Sequence, residues 1–520
     1  MASFIGALDQ GTTSTRFMIF DETGKIITFH QIAFEQHYPQ PGWVEQDPYE
    51  ILDSCKVCIE HSIQKLKNLG YEAKDIKAIG VTNQRETTLV WDKLTGQPLY
   101  PAIGWADVRT SQVVEELSKK ALDQGYIGDD NGVNVLRSLC GLPLTTYFSA
   151  VKLKWLLDNV PEVSNARDEQ RLSFGTMDTW LIYNLTGGVD KGIYITDVTN
   201  ASRTMLMDLN TLKWSNTAIE FFGFQNIELP QIKPSSCIYG EIETGALAGT
   251  PIAGCLGDQQ AALVGQKCFN RGDAKNTYGT GCFMLFNLGT TPVLSTNGLL
   301  TTVAYQFGNN NNQDEEESSK PVYALEGSIA VGGSSITWLK DNMKLIKDHD
   351  ELNELAGSVN DTGGVYFVTA FSGLFAPYWR TDARGTICGL TQYTTRAHLA
   401  RATLEASCYQ TKAILDAMNK DSGTPLRSLK VDGGLSNSDL CMQIQANVLN
   451  GVQVHRPKMR ETTALGSAIA AGLAIGFWKS VDDLNKVNRE GESVFKSEIS
   501  IDAQNQLYDG WKKAVEKSFG

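Results

Sequence analysis

Residues 8–16 read Leu-Asp-Gln-Gly-Thr-Thr-Ser-Thr-Arg, and apolar runs flank this stretch on both sides. The pattern predicts two short strands joined by a tight turn, because residues 4–8 and 17–20 are mostly apolar. Glycine lets the backbone approach a ligand closely, while the hydroxyl groups and the arginine offer donors to phosphate oxygens. The turn is therefore typical of a nucleoside triphosphate site, although an ordinary polar hairpin has the same pattern.

The composition indicates a large acidic globular protein. The chain has 520 residues, 42% of them hydrophobic, with 46 basic and 59 acidic side chains and a net charge of −13. This length supports more than one domain, and no cluster of Lys and Arg favours nucleic acid. No apolar run approaches the roughly 18 residues of a membrane span, and the N-terminus lacks a signal-peptide pattern. We expect a cytoplasmic protein, with attachment to mitochondria through a partner as the alternative.

Strand-like runs alternate with amphipathic stretches along the chain, which is the pattern of an α/β fold. A second glycine-rich, strand-dense zone begins at Pro251 and predicts a domain boundary near residue 260. Residues 254–260 weakly resemble the opening turn, which suggests two related halves that each give a turn to one cleft. Helices are predicted at Tyr49–Asn68, Ser149–Asn159, Thr395–Asn419, Asp439–Leu449 and Thr462–Phe477.

Two further local predictions concern connections between strands. Residues 87–91 and 99–103 are apolar runs on either side of a turn-forming stretch, and they predict a hairpin. The segment 308–320 is polar and acidic without an apolar anchor, and it predicts a solvated loop between two strands.

Polar clusters follow several of the predicted strands. Arg85 and Glu86 come directly after a buried strand, and such a pair suits a small polyol, since one side chain donates and the other accepts. Neighbours on a regular strand face opposite ways, so the chain must leave the pleat there if both are to reach one ligand. A surface ion pair is the alternative.

A third cluster combines Asp258 with the Gly279-Thr280-Gly281 turn. A carboxylate can take the proton from an attacking hydroxyl while the N–H groups of such a turn bind phosphate. A diglycine turn at residues 433–434 precedes a helix and leaves room for a flat ring such as adenine, or is simply structural. The chain contains neither a P-loop nor a Gly-x-Gly-x-x-Gly motif, so P-loop, dinucleotide-binding and protein-kinase folds are not indicated.

Together these segments resemble the FGGY family of sugar and polyol kinases, and within it the members that phosphorylate glycerol. The resemblance runs from Ile5 to about Lys517. Its longest runs are Phe34–Gln36 with Pro41–Glu45, Thr82–Thr88, Thr199–Met205, Asn276–Met284 and Ala376–Trp379, and family motifs match Tyr147–Leu157 and Gly389–Thr411.

The resemblance implies an α/β protein with two domains of the actin/hexokinase/Hsp70 ATPase (ribonuclease H-like) fold and a deep cleft between them. Residues 1–260 would bind glycerol and phosphate, and residues 261–520 would bind the nucleotide. The implied activity is ATP-dependent phosphorylation of glycerol to sn-glycerol 3-phosphate with Mg²⁺, in a homo-oligomer expected to be a dimer.

The resemblance also implies a role for each of several side chains. Asp258 would be the catalytic base, and Asp9 would lie near the magnesium ion. The implied glycerol contacts are Arg85, Glu86, Tyr147, Asp258 and Gln259, with Trp105 and Phe283 as an apolar wall. The implied nucleotide contacts are Thr12, Thr13, Ser14, Arg16, Thr280, Gly333, Thr337, Gly434 and Ser438.

Two alternatives remain open at this point. The chain could be a kinase for another polyol or a ketose, which a panel of substrates would separate. It could also be an ATP-gated binding or assembly protein, since actin and Hsp70 share the implied fold. The second alternative predicts no polyol-dependent release of ADP.

Overall fold

The computed structural model of the chain describes residues 2–126, 134–308 and 320–520. Most of the acidic segment predicted to be a solvated loop, residues 309–319, lies outside the described residues.

A six-stranded mixed sheet forms the centre of the first half. Its order is β5-β6-β4-β1-β2-β3, with β1 parallel to β4 and antiparallel to β2. The strands are β1 Phe4–Gln10, β2 Ser14–Phe20, β3 Ile26–Ala33, β4 Ile76–Asn83, β5 Ser236–Glu241 and β6 Pro251–Gly257.

A seven-stranded sheet with a related plan forms the centre of the second half. Its order is β9-β10-β8-β7-β11-β12-β13, with β7 parallel to β11 and antiparallel to β8. The strands are β7 Asp273–Tyr278, β8 Cys282–Gly289, β9 Leu300–Tyr305, β10 Val322–Ile329, β11 Ser428–Asp432, β12 Val454–Arg456 and β13 Ser493–Phe495.

The related halves differ from the sequence expectation in one respect. Residues 254–260 belong to the first sheet and its following helix, so they are not the counterpart of the opening turn. The turn that follows the first strand of the second sheet, between Tyr278 and Cys282, holds the equivalent position. The prediction of two halves is right, but the segment chosen to represent the second half is wrong.

Helices cover the sheets and connect their strands. The α-helices of six or more residues in the described ranges are α1 Pro48–Asn68, α2 Ser111–Asp123, α3 Val135–Cys140, α4 Ser149–Asn159, α5 Pro161–Asp168, α6 Met177–Leu185, α7 Asn216–Phe222, α8 Asp258–Gly265, α9 His349–Gly357, α10 Arg396–Ser422, α11 Asp439–Val448, α12 Thr462–Ala474 and α13 Ile501–Glu516. The predicted helices are confirmed to within three residues at each end. Helix α12 ends before Phe477 because Gly476 adopts a φ of 75°, which helical backbone does not allow. None of the helices in these ranges is both long and apolar enough to cross a membrane.

The arms of the predicted hairpin lie antiparallel to each other, and each also pairs with a further segment in a short ladder outside the two sheets. Strand Leu89–Asp92 pairs with Leu172–Gly175, and Ala102–Ile103 pairs with Glu45–Gln46. The two predicted arms are joined to each other by antiparallel bridges at Thr88–Ile103 and Trp91–Pro98, so the hairpin pairing is present beside these ladders. The other short pairs are Ile195–Asp197 with Gln231–Lys233, Met207–Asp208 with Lys213–Trp214, and Tyr366–Val368 with Thr386–Cys388.

Helix α12 comes from the second half of the chain but packs against the first sheet. A Cβ atom on Gly80 in β4 would lie 2.0 Å from the Ser467 carbonyl oxygen of this helix. A Cβ atom on Gly466 would lie 1.8 Å from the Ala261 carbonyl oxygen in α8. Glycine at these contacts lets α8 and α12 cross with their backbones touching, at the junction of the two halves.

We expect Gly466→Ala to lower the free energy of unfolding by about 2–3 kcal/mol, since the added methyl group must displace backbone. Alanine has a higher intrinsic helix propensity than glycine by about 1 kcal/mol. A lower free energy of unfolding would therefore result from the close contact between α8 and α12. Gly357→Ala in α9 is the matched control, because its added methyl group meets only Leu440 at 3.9 Å. Denaturant unfolding measures both variants, and equal stabilities would contradict the close crossing.

Candidate active site

Three parallel strand ends bring the predicted site residues to one edge of the first sheet. Asp9 pairs in register with Thr82, and Gly257 pairs in register with Asn83. Asp9 therefore lies at the same level as the segment that carries Arg85 and as the start of α8, which begins at Asp258. Carboxyl ends of parallel strands are the usual position for ligands in α/β proteins.

Arg85 and Glu86 leave the strand as the sequence pattern required. Strand β4 ends at Asn83, and Glu86 adopts a φ of 60°, far from extended backbone. Both residues are buried, with 3% and 1% of their surface exposed. The alternative of a surface ion pair is therefore wrong.

A cluster of four buried charges, the charge cluster, surrounds this turn and consists of Arg85, Glu86, Arg203 and Glu326. Arg85 Nη1 donates to Glu326 Oε2 at 2.6 Å, and Nη2 donates to Oε1 at 2.9 Å. Arg203 Nε donates to Glu86 Oε1 at 2.6 Å, and its Nη2 donates to Glu326 Oε1 at 3.1 Å. Burial opposes the ionisation of Glu326, but the two arginines outweigh it and lower the pKa to about 2.

Asp258 stands beside this cluster with its side chain 27% exposed. Its Oδ1 lies 3.3 Å from Arg85 Nε and accepts the N–H of Gln259 at 2.7 Å. Burial raises the pKa of Asp258 above its usual range; Arg85 opposes the shift and Glu86 reinforces it. A partly exposed carboxylate with a raised pKa suits a general base.

Aromatic side chains line one side of the same space. The rings of Trp105 and Tyr147 lie 5.6 Å apart, and those of Trp105 and Phe283 lie 6.3 Å apart, both edge to face. Trp105 Nε1 donates to Thr12 Oγ1 at 3.1 Å, so the aromatic wall touches the opening turn. The wall and the turn therefore meet at one site.

The opening turn is closed by a hydrogen bond from Gly11 N–H to the Ser14 carbonyl, 2.9 Å long. Thr13 is exposed at its tip. Arg16 Nη1 binds Glu461 Oε2 at 2.6 Å, and its Nη2 lies 3.3 Å from Asp9 Oδ2. Glu461, just before α12, had no signal in the sequence.

Asp9 carries an incompletely satisfied buried carboxylate. Its Oδ2 accepts no hydrogen bond from any described residue, and the residue is 2% exposed. Burial raises the pKa of Asp9 to about 6, although Arg16 opposes the shift. A buried oxygen of this kind, next to a turn of phosphate-binding type, fits a hard cation such as Mg²⁺.

The turns of the second half lie close to one another. Gly333 N–H donates to the Gly279 carbonyl at 2.9 Å, and Ser334 N–H donates to the Thr280 carbonyl at 3.1 Å. Thr337 ends the single-turn helix Ser334–Thr337 that starts there. These contacts place Thr280, Gly333 and Thr337 in one region.

The diglycine turn adjoins the same region. Gly433 has a φ of 83°, and a Cβ atom there would lie 2.5 Å from the Tyr278 carbonyl oxygen. The turn that contains Gly433 and Gly434 therefore packs against the end of β7. Ser438 Oγ caps α11 through Cys441 N–H and donates to Asn353 Oδ1 at 2.5 Å. That hydroxyl is engaged within the protein, and the nucleotide contact of Ser438 stays a prediction.

Lys275 is a site residue that sequence reasoning missed. It is buried in β7, contacts Gln259 Oε1, and donates to Thr277 Oγ1 at 3.0 Å. Burial lowers the pKa of Lys275 to about 8. The contact ties Gln259, in α8 beside Asp258, to the second sheet.

Comparison with known proteins identifies the family. The N-terminal domain of the FGGY family of carbohydrate kinases matches residues 4–265, and its C-terminal domain matches residues 274–475. The chain belongs to the FGGY family of carbohydrate kinases. Its fold is accordingly the two-domain actin/hexokinase/Hsp70 ATPase type, and it is a kinase. The position of the domain boundary near residue 260 stays a prediction.

Individual FGGY kinases are similar over their full length. The glycerol kinase of Roseiflexus sp. (strain RS-1) is 51% identical over 519 residues, which cover 100% of this chain and 99% of the relative. The glycerol kinase of Acidiphilium cryptum (strain JF-5) has the same identity and coverage. The crystal structure of Plasmodium falciparum glycerol kinase with ADP aligns at a TM-score of 0.89 and 39% identity, covering 99% of this chain and 98% of the other.

We expect Asp9→Asn to stabilise the ligand-free kinase by about 2–3 kcal/mol at pH 7.5. A pKa raised to about 6 means that folding favours the protonated carboxyl, so the wild type loses stability as the pH rises from about 4 to 6. The variant should not show this loss. The difference in free energy of unfolding between the variant and the wild type should therefore narrow towards pH 4.5.

Thermal unfolding in EDTA without nucleotide measures this effect. Asp53→Asn in α1 is the matched control, because it makes the same substitution at a side chain that is 73% exposed. An Asp9→Asn variant less stable than the wild type at pH 7.5 would contradict the assignment of an incompletely satisfied buried carboxylate.

Proposed function

We propose that this FGGY kinase transfers the terminal phosphate of ATP to glycerol and forms sn-glycerol 3-phosphate. The observation that carries the proposal is the joint placement of Asp258, Arg85 and the aromatic wall at the strand ends that also hold the opening turn. The full-length similarity to glycerol kinases, one of them solved with ADP, supports both substrates.

The proposed glycerol pocket divides polar from apolar contacts. Arg85 donates to hydroxyl oxygens, while Glu86 accepts from hydroxyl hydrogens. Trp105 and Phe283 would face the carbon backbone, since their rings pack edge to face beside the polar groups. Tyr147 and Gln259 would complete the set of hydroxyl contacts.

The proposed chemistry centres on Asp258. Its carboxylate takes the proton of the primary hydroxyl as that oxygen bonds to the terminal phosphorus, and the bond from phosphorus to the bridging oxygen of ADP breaks. Arg85 lies beside Asp258 and favours its ionised form. Exclusion of water by the two domains would keep ATP from being hydrolysed.

The proposed nucleotide contacts come from both halves. Thr12, Thr13, Ser14 and Arg16 would hold phosphates from the first half, and Thr280, Gly333 and Gly434 would hold the nucleotide from the second. Asp9 would hold Mg²⁺ directly or through water, and the ion would supply positive charge against the phosphate oxygens. Thr337 and Ser438 stay proposed neighbours of the nucleotide, and the Ser438 hydroxyl also caps α11.

Three expectations on organisation stay predictions. The first is that residues 1–260 and 261–520 divide glycerol binding from nucleotide binding. The second is that the kinase acts as a homodimer, which light scattering would test. The third is that it acts in the cytoplasm.

Release of ADP with and without glycerol, at matched ATP and Mg²⁺, tests the proposal directly. We expect release to depend on glycerol. If a larger sugar or a ketose is phosphorylated far better than glycerol, the chain is a kinase for that substrate and the proposal of glycerol is overturned. ADP release that is independent of any polyol would favour an ATP-gated binding protein and overturn it.

We expect Asp258→Asn to lower kcat by roughly 10²–10⁴-fold, because the variant has no group to take the hydroxyl proton. Glycerol-dependent thermal stabilisation should persist, since the amide keeps the shape of the site. The coupled ADP assay measures kcat, with Asp53→Asn as the exposed control. Near-normal turnover would defeat the assignment of the base.

A further inference from the structure

The hydrogen-bond geometry of Arg85 fixes which of its edges is available to a ligand. A guanidinium carries five N–H donors in a planar fork. Glu326 occupies the end edge formed by Nη1 and Nη2, at 2.6 and 2.9 Å, and Gln260 Oε1 accepts from Nη1 at 3.2 Å. Neither of them uses the side edge, formed by Nε and the second hydrogen of Nη2.

The side edge of Arg85 faces Asp258, the proposed base. Asp258 Oδ1 lies 3.3 Å from Nε on that side, and Glu86 Oε1 lies 3.9 Å from the same nitrogen. Two parallel N–H donors there suit a pair of neighbouring oxygens, either the two on one carboxylate carbon or the hydroxyls on adjacent carbons of a polyol. The geometry therefore presents a two-pronged donor next to the group proposed to take the proton.

Glu326 also fixes the position of the Glu86 side chain, because Arg203 binds both carboxylates. Glu326 Oε1 accepts from Arg203 Nη2 at 3.1 Å, and Arg203 Nε donates to Glu86 Oε1 at 2.6 Å, which leaves Glu86 Oε2 outside this contact. The side chains of Glu326 and Arg203 are 2% and 0% exposed. One carboxylate from β10 in the second sheet thus fixes both proposed hydroxyl-binding residues of the first half.

We propose that Glu326, acting with Arg203, is a positioning residue that makes the kinase selective for adjacent hydroxyl groups. It holds Arg85 so that the side edge meets two oxygens on neighbouring carbons of the substrate. This inference rests on the proposed function, because it concerns how the same pocket recognises its polyol. Glu326 itself does not contact the reacting atoms.

Loss of the Glu326 charge should release Arg85 from this orientation. The guanidinium would then be attracted to the remaining carboxylates, Asp258 and Glu86, and its side edge would no longer be fixed. Binding of ATP, at the turns of both halves, should be affected little. The consequence is a defect in polyol recognition rather than a general loss of activity.

Glu326→Gln tests the proposal, since it keeps the shape and removes the charge. We expect the KM for glycerol to rise about 10–100-fold, with the KM for ATP changed less than about threefold. The preference for glycerol over 1,3-propanediol, which lacks the central hydroxyl, should fall at least about tenfold in kcat/KM. A merely structural role would not move this ratio.

Glu405→Gln is the matched control, because Glu405 is equally a buried carboxylate bound to an arginine. It lies in α10, 3.1 Å from Arg401 Nε, and accepts from Tyr409. We expect this variant to keep the glycerol preference of the wild type. If both variants keep it, the positioning role of Glu326 is overturned.

The outcomes separate this inference from the proposed function. A wild type without glycerol-dependent ADP release would end the proposed function, whereas an active wild type with an unchanged Glu326→Gln variant would end only the inference. If Glu326→Gln does not fold, Arg203→Lys decides, because lysine keeps the charge but cannot bridge Glu86 and Glu326 with a planar fork. Reduced glycerol preference in that variant supports the proposal, and unchanged preference overturns it.

Discussion

Charges taken out of water must be compensated by other charges and hydrogen bonds, and the centre of this protein is built around that requirement. Glu326 accepts hydrogen bonds from two arginines at once, and Arg203 links it to a second carboxylate. Three members of the cluster come from the first half, while Glu326 comes from β10. The proposed polyol pocket is therefore fixed by a contact between the two halves.

The order of the strands explains why the site lies where it does. Parallel strands place Asp9, Arg85 and Asp258 at one edge of the first sheet, and helix α8 starts with Asp258. The crossing of α8 and α12 at Gly466 joins that edge to the second half through backbone contact. Charge pairing and close helix packing thus act at the same junction, and a change at either should alter the geometry around Asp258.

The sequence predicted the strand ends well because their signals are local. Apolar runs ending in Asp9, Asn83 and Gly257 read as buried strands, and helix α1 showed an amphipathic pattern. Pairing of short strands was harder. Leu89–Asp92 pairs with Leu172–Gly175, a partner more than 75 residues away that no local pattern announces.

The residues of the candidate site also fall into those that local sequence predicts and those that depend on distant contacts. Arg85 and Glu86 were found from their position after a strand, but their partners depend on how the chain folds back on itself. Arg203 stood within a stretch noted only for family resemblance. Glu326 stood alone in an apolar strand, and a lone carboxylate there is itself a signal, since a buried charge demands a counter-ion. Lys275 stands in the mostly polar stretch 273–278, so its burial had no comparable signal in the sequence.

A crystal structure with glycerol and ADP bound would test the account most directly. The account predicts two glycerol oxygens on the Nε and Nη2 side edge of Arg85, with Glu326 still on the end edge, and the primary hydroxyl within hydrogen-bonding distance of Asp258. Glycerol bound away from these groups, or an Arg85 side chain turned off Glu326 to reach it, would contradict the account.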